Sequence, residues 1–282
     1  MKIKTVGVIG AGLMGSGIAQ MCAAAGLKVV LRDIDEARVQ RGVDAIASSL
    51  GRMVEKGKMS AADKNRVLAA IEPVTSVGAL AKADIIIEAA TENVDIKIAI
   101  LKELDAISRP EAIIASNTSS VSITKLAAAL ARPERFIGMH FFNPVPMMSL
   151  VELIRGIQTG DATFEAAHAM VKQIGKTPIS VKNAPGFVVN RILVPMMNEA
   201  IFVLQEGLAT AEEIDQGMKL GCGHPMGPLA LCDLVGLDTL LSVLNVFYND
   251  FKDPKYRPAP LLQEMVDAGY LGRKSGRGFY QY

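Results

Sequence analysis

The segment Met139–Ile154, MHFFNPVPMMSLVELI, carries one imidazole, His140, in an apolar run and one carboxylate, Glu152, in another. Between them Asn143, Pro144 and Pro146 interrupt the extended pattern, because proline fixes its own φ and cannot donate to a ladder. The segment therefore reads as strand, turn, strand, with His140 and Glu152 able to face each other. A carboxylate among Leu150, Val151, Leu153 and Ile154 is costly to desolvate without a partner, and an imidazole is the obvious one. Held through one ring nitrogen, a histidine has a fixed tautomer and can exchange a proton through the other. The competing reading is a core histidine bonded to a backbone carbonyl and a glutamate at a rim. The stretch alone does not choose between them.

A second constellation lies near the start. Thr5–Ile9 is a β-branched apolar run, followed by Gly10-Ala11-Gly12-Leu13-Met14-Gly15, a helical stretch ending near Gly26, and a second strand over Leu27–Leu31. This is a βαβ unit with GxGxxG at its first turn, where glycines permit a tight turn and close backbone approach to a pyrophosphate. Asp33 follows about 20 residues on, where an acid accepts hydrogen bonds from ribose hydroxyls. It also repels a 2′-phosphate and so favours NAD over NADP, although Arg32 stands beside it.

In an open parallel sheet, ligands sit beyond the carboxyl ends of the strands. Ile85–Ala89 ends at Glu88, Thr91 and Glu92, with Lys97 a little further along. Ala112–Ala115 ends in Ser116-Asn117-Thr118-Ser119-Ser120. These are site candidates, and each is equally a turn or helix cap. Arg52 and Lys56 share one face at the end of a helical pattern over Val39–Lys58. They are either a solvated helix end or a docking point for a phosphate-rich substrate.

The elements that must hold these groups follow from pattern. Further strands are expected over Phe136–Phe142, Val151–Ile154 and Pro178–Val181, with a helix across Phe164–Gly175. At Asn183–Gly186 the texture changes and only helices follow: Phe187–Gln205 (kinked by Pro195), Ala211–Leu220, Pro228–Phe251 and Pro260–Ala268. The segment Gly272–Tyr280 reads as a flexible basic loop before an aromatic end. Asn190 lies in an apolar helix, where its amide is either a structural network member or faces a cleft. The expected architecture is an α/β Rossmann-type NAD-binding domain over residues 1–184, followed by an all-α C-terminal domain over 185–282.

The 282 residues exceed one ordinary domain, and a net charge of +1 suggests no nucleic-acid or anionic-membrane surface. Cys22, Cys222 and Cys232 show no metal spacing, and reduced thiols in a cytoplasm fit them best. Glycines puncture the apolar run near the N-terminus, which argues against a signal peptide, and no uninterrupted apolar run of ~18 residues exists. His168 and His224 have no acidic partner at a suggestive spacing.

The motifs GAGLMG, SNTSS, HFFNPVP followed by LVE, NAPGFVVNR, HPMGP and GRKSGRGFY occur in this order from the first strand to the last residues. In them the chain closely resembles the 3-hydroxyacyl-CoA dehydrogenases, most nearly the bacterial single-function members that act on 3-hydroxybutyryl-CoA. The resemblance implies reversible hydride transfer with NAD(H) between 3-hydroxybutyryl-CoA and acetoacetyl-CoA, and a homodimer through the helical domain. It implies that His140 is the catalytic base, that Glu152 orients it, and that Ser119 and Asn190 position the substrate oxygen and the imidazole. It assigns Gly10, Ala11, Gly12, Leu13, Met14, Gly15 and Asp33 to the dinucleotide. Glu92, Lys97, Asn117, Ser119, Asn143 and Lys274 fall on its nicotinamide side, and Ser119, Arg52 and Lys56 on acyl-CoA. The rivals are a gulonate-type sugar-acid 3-dehydrogenase on the same scaffold and a non-catalytic, crystallin-like nucleotide-binding protein.

Overall fold

In a computed structural model describing residues 1–282, eight strands form one sheet. They are β1 (Thr5–Ile9), β2 (Lys28–Arg32), β3 (Ile71–Val74), β4 (Ile85–Glu88), β5 (Ile113–Ser116), β6 (Phe136–Phe141), β7 (Leu150–Arg155) and β8 (Thr177–Lys182). Their order is β3-β2-β1-β4-β5-β6-β7-β8. The first six run parallel, β7 is antiparallel to β6, and β8 is parallel to β7. Strands β4, β5 and β6 are buried at every residue, as continuous Ile- and Phe-rich runs require when helices cover both faces. The chain reverses its direction across the sheet between β1 and β4, which makes their carboxyl ends a crevice.

Six helices belong to this part: α1 (Leu13–Ala24), α2 (Glu36–Glu55), α3 (Ala61–Ala69), α4 (Val94–Ile107), α5 (Ile123–Ala127) and α6 (Asp161–Gln173). Asp35, Ser60, Asn93 and Ser122 each cap a helix with a side-chain oxygen on a first-turn amide. The Asp35 cap starts α2 three residues earlier than the apolar pattern suggests. Strand β3 is not evident in the sequence because it contains Pro73. At the sheet edge the missing N–H costs little.

The chain divides into two compact units, Met1–Ala184 and Pro185–Tyr282, each with its own apolar core. The second unit is helical: α7 (Val189–Gln205, with Pro195 inside it), α8 (Ala211–Cys222), α9 (Pro228–Val235), α10 (Leu237–Phe251) and α11 (Pro260–Asp267). Two expectations need correction here. Pro228–Phe251 is not one helix: Gly236 adopts φ +98° and turns the axis by 97°. Nor is Gly272–Tyr280 a flexible loop, because buried Asp233 accepts the amides of Phe279 and Tyr280, both at 2.9 Å. No single helix is long and apolar enough to cross a membrane.

Candidate active site

The turn between β1 and α1 is fixed by its glycines. Gly10 has φ +92°, and its N–H donates to the Arg32 carbonyl at 2.9 Å. A Cβ on Gly15 would lie 1.7 Å from the Gly10 carbonyl oxygen, so the helix can close on the turn only without one. Gly12 differs: a Cβ there would meet nothing within 4 Å. It is the N-cap of α1 and caps it with no side chain. The first amides of α1 therefore face a cleft of about 810 Å³ bordered by Gly12, Leu13, Asp33, Arg41, Thr91 and Ile96. An uncapped helix start beside open space suits a diphosphate. Asp33 closes the far side, its Oδ2 accepting the Ala11 amide and its Oδ1 the Ile34 amide, both at 2.7 Å. Arg32, the neighbouring cation, directs Nε to the Thr75 carbonyl at 3.0 Å. Together these residues fit a dinucleotide without a 2′-phosphate. Met14, half-buried, packs on the core behind the turn.

Next along the sheet, the ends of β4 and β5 are tied together. Glu88, fully buried, accepts from Lys97 Nζ and from Ser116 Oγ, both at 2.7 Å. Lys97 is itself 1 % exposed, so the residue expected on the nicotinamide side is enclosed, with its ammonium on Glu88. Glu92 is exposed; its carboxylate accepts the Thr118 hydroxyl at 2.6 Å and the Ser119 amide at 3.0 Å. Asn117 Oδ1 accepts the Phe141 amide at 2.9 Å, which links this loop to the strand bearing His140.

The β6–β7 pairing then settles the geometry of the two candidate acid–base groups. His140 and Glu152 are direct register partners, with Nδ1 2.7 Å from Oε2. Both are buried, Glu152 completely. An ionised carboxylate only accepts, so in the neutral imidazole Nδ1 carries the proton and Nε2 is the basic nitrogen. The Phe142 ring lies 4.5 Å from the imidazole, centroid to centroid. The reading of a histidine on a backbone carbonyl and a glutamate at a rim is thereby replaced by a paired, enclosed couple. Asn143 follows in the exposed turn. Buried Lys176, for which the sequence offered no signal, donates from Nζ to the Val145 and Met148 carbonyls at 2.7 and 2.5 Å and pins that turn.

Arg52 and Lys56 border a separate cavity of about 710 Å³ together with Lys58, the last of the basic residues at this helix end. Its interior is apolar, with Met21, Met53 and Met147 among its walls. Cationic side chains thus stand at the rim of an apolar-floored cavity. In the second unit, Asn190 is half-buried on the first turn of α7 and Lys274 ion-pairs with Asp238. The fully committed amide of α7 is another one, Asn198, which bonds the Arg257 carbonyl and the Ala259 amide.

A doubly wound sheet with a glycine turn, an aspartate just past β2 and a His–Glu pair is the arrangement of a dinucleotide-dependent oxidoreductase. Residues 5–184 match the model of the 3-hydroxyacyl-CoA dehydrogenase NAD-binding domain, and residues 186–282 that of the 3-hydroxyacyl-CoA dehydrogenase C-terminal domain. The 3-hydroxybutyryl-CoA dehydrogenase of Bradyrhizobium diazoefficiens is 53% identical over 280 residues, 99% of this chain and 96% of that one. The crystal structure of (S)-3-hydroxybutyryl-CoA dehydrogenase from Ralstonia eutropha superposes with a TM-score of 0.98 at 64% identity, covering 100% and 99% of the two chains. The mitochondrial hydroxyacyl-coenzyme A dehydrogenase of Rattus norvegicus is 44% identical over 287 residues, 99% of this chain and 91% of that one. The chain belongs to the 3-hydroxyacyl-CoA dehydrogenase family and is an NAD-dependent oxidoreductase.

Proposed function

We propose that the protein interconverts (S)-3-hydroxybutyryl-CoA and acetoacetyl-CoA, with His140 as the acid–base group. The observation that carries this reading is the buried 2.7 Å contact between His140 Nδ1 and Glu152 Oε2 on directly paired strands. When bound, NAD supplies the hydride acceptor for C3 of the substrate, and NADH the donor in reverse. In oxidation, His140 Nε2 takes the proton from the 3-hydroxyl; in reduction it returns one to the 3-oxygen. Glu152 holds the tautomer and stabilises the imidazolium. Ser119 and Asn190 position the 3-oxygen and the imidazole.

The glycine turn, the α1 amides and Asp33 hold the dinucleotide, while Glu92, Lys97, Asn117, Asn143 and Lys274 serve its nicotinamide side. Arg52 and Lys56, with Lys58, take the phosphates of coenzyme A at the rim of the methionine-lined cavity. The four-carbon preference is supported by what two full-length relatives are named for. The second unit exposes Ile192, Leu208 and Leu220, each about two-thirds or more accessible, which supports a homodimer formed through it. Three free cysteines suit a reducing cytoplasm.

The test is NADH oxidation with acetoacetyl-CoA, longer 3-ketoacyl-CoA esters and acetoacetate in parallel. Acetoacetyl-CoA should be the best substrate and NADPH a poor donor. Faster turnover of the CoA-free acid would overturn the assignment. Sedimentation of the protein should give twice the chain mass, and a monomer at assay concentration would remove the dimer.

A further inference from the structure

We propose that Glu88 is a positioning residue for the nicotinamide side of the site, acting through Lys97, Ser116 and Glu92 without touching the ligand itself. This rests on the dinucleotide reading of the cleft and adds a residue and a route to it. Glu88 closes β4, in register with Ile9 on one side and Ser116 on the other. It is fully buried, and its two oxygens serve three donors: Oε1 accepts the Ala90 amide at 2.9 Å, and Oε2 accepts Lys97 Nζ and Ser116 Oγ, each at 2.7 Å. Those donors come from three elements around the crevice: Ala90 lies in the turn after β4, Ser116 is the last residue of β5, and Lys97 stands on α4.

Lys97 extends the linkage. Its ammonium also lies 3.9 Å from Glu92 Oε2, the carboxylate that accepts the Thr118 hydroxyl and the Ser119 amide. One buried cation thus stands between two carboxylates, an enclosed one that fixes it and an exposed one that shapes the Ser116–Ser120 loop. The alternation matters. With the Glu88 charge removed, Lys97 keeps a single anionic neighbour, and an uncompensated buried ammonium moves toward whatever anion remains. That movement draws Glu92 away from Thr118 and Ser119. A fold seeking stability alone would replace the Glu88–Lys97 pair by apolar side chains of similar volume. Retention of the pair at this end of the sheet is what a positioning role requires.

Glu88→Gln is the primary test, assayed on the full-length protein by NADH fluorescence titration and steady-state kinetics normalised to titrated sites. The Kd for NADH and the KM for NAD should rise about tenfold and kcat should fall, while the KM for acetoacetyl-CoA, which the displaced Ser119 also touches, rises less. Ser116→Ala, which deletes one hydroxyl and leaves the charges paired, serves if the first variant does not fold. It should raise the Kd for NADH about threefold without a comparable rise in the KM for acetoacetyl-CoA. A purely structural pair lowers Tm and leaves Kd and kcat per titrated site within twofold; that result in whichever variant folds overturns the proposal. Absence of NADH binding in the wild-type protein would instead sink the dinucleotide reading, so the two failures are distinguishable.

Discussion

Glu152→Gln is the sharpest test of the acid–base pair, because it removes a charge and almost no volume. Glu152 is fully enclosed and its Oε2 lies 2.7 Å from His140 Nδ1, so little solvent screens the interaction once the imidazole is protonated. Two unit charges about 4 Å apart at an effective dielectric of ~20 attract by ~4 kcal/mol. The amide keeps an acceptor facing Nδ1 and retains roughly a quarter of that, leaving a loss of ~3 kcal/mol confined to states with imidazolium character. At 1.36 kcal/mol per decade this lowers kcat by ~10²-fold. The neutral ground state changes little, so the Kd for NADH should stay within a factor of about three, and the variant should remain folded at assay temperature. The assay pairs single-turnover oxidation of bound NADH by acetoacetyl-CoA with thermal denaturation. A kcat within tenfold of wild type, in a variant that folds and binds NADH, would refute the electrostatic role. In that event the carboxylate merely fills its place in the ladder.

His140→Ala should lower kcat by ~10²–10⁴-fold in a folded protein, and combined with Glu152→Gln it should cost scarcely more than alone, because the two act as a unit. Gly12→Ala and Gly15→Ala separate ligand from fold. The first places its Cβ in open space at an ordinary φ of −70°, so Tm should hold or rise slightly while the Kd for NADH rises at least tenfold. The second drives a Cβ against the Gly10 carbonyl and should lose stability and affinity together. If Gly12→Ala binds NADH normally, the diphosphate does not approach there. Asp84 supplies a pH prediction. Burial pushes its carboxyl up, but the Lys4 and Thr5 amides and the Arg109 guanidinium outweigh that and hold it below the usual range. A depressed carboxylate stabilises the fold above its unfolded value of ~3.9, and that contribution disappears as pH falls through the folded value. Asp84→Asn should therefore cost ~1–3 kcal/mol at pH 7 by urea denaturation, with the gap to wild type closing below about pH 4. A gap that does not narrow as pH falls below about 4 would point to lost packing.

Legibility in the sequence tracked the distance over which each constraint acts. The glycine turn and Asp33 were readable because a βαβ unit is local. The strand–turn–strand reversal around His140 and Glu152 was readable too, since two prolines and an asparagine interrupt a plain apolar pattern, but only the register shows that the two side chains pair. The break at Gly236 was hidden in an apolar pattern that continues through it, and only its φ shows that the helix cannot. Strand β3 carries a proline that would disqualify an interior strand. The Gly272–Tyr280 segment looked loose because its anchor, Asp233, lies some 46 residues earlier in the chain. Likewise Glu88 and Ser116 are 28 apart. One local sign was available: Glu88 ends a run of three isoleucines, the same incongruity that drew attention to Glu152.

That incongruity distinguishes two uses of buried carboxylates in this chain. Asp215 and Asp233 are buried too, but they mainly serve backbone: Asp215 accepts the Leu229 and Ala230 amides at the start of α9 and Asp233 the amides of the C-terminal segment, each adding one tyrosine hydroxyl. Carboxylates so placed close a helix end or a chain end, and their value lies in satisfying donors that folding would otherwise orphan. Glu152 instead pairs with an ionisable side chain, and Glu88 holds two side chains besides one amide. Strands β4 and β7 would form their ladders equally well with valine at those positions, since ladder bonds come from the backbone. Burying an acid there gains the fold little and costs desolvation. The compensating benefit must come from what the paired groups do at the ends of the strands, where the dinucleotide crevice opens.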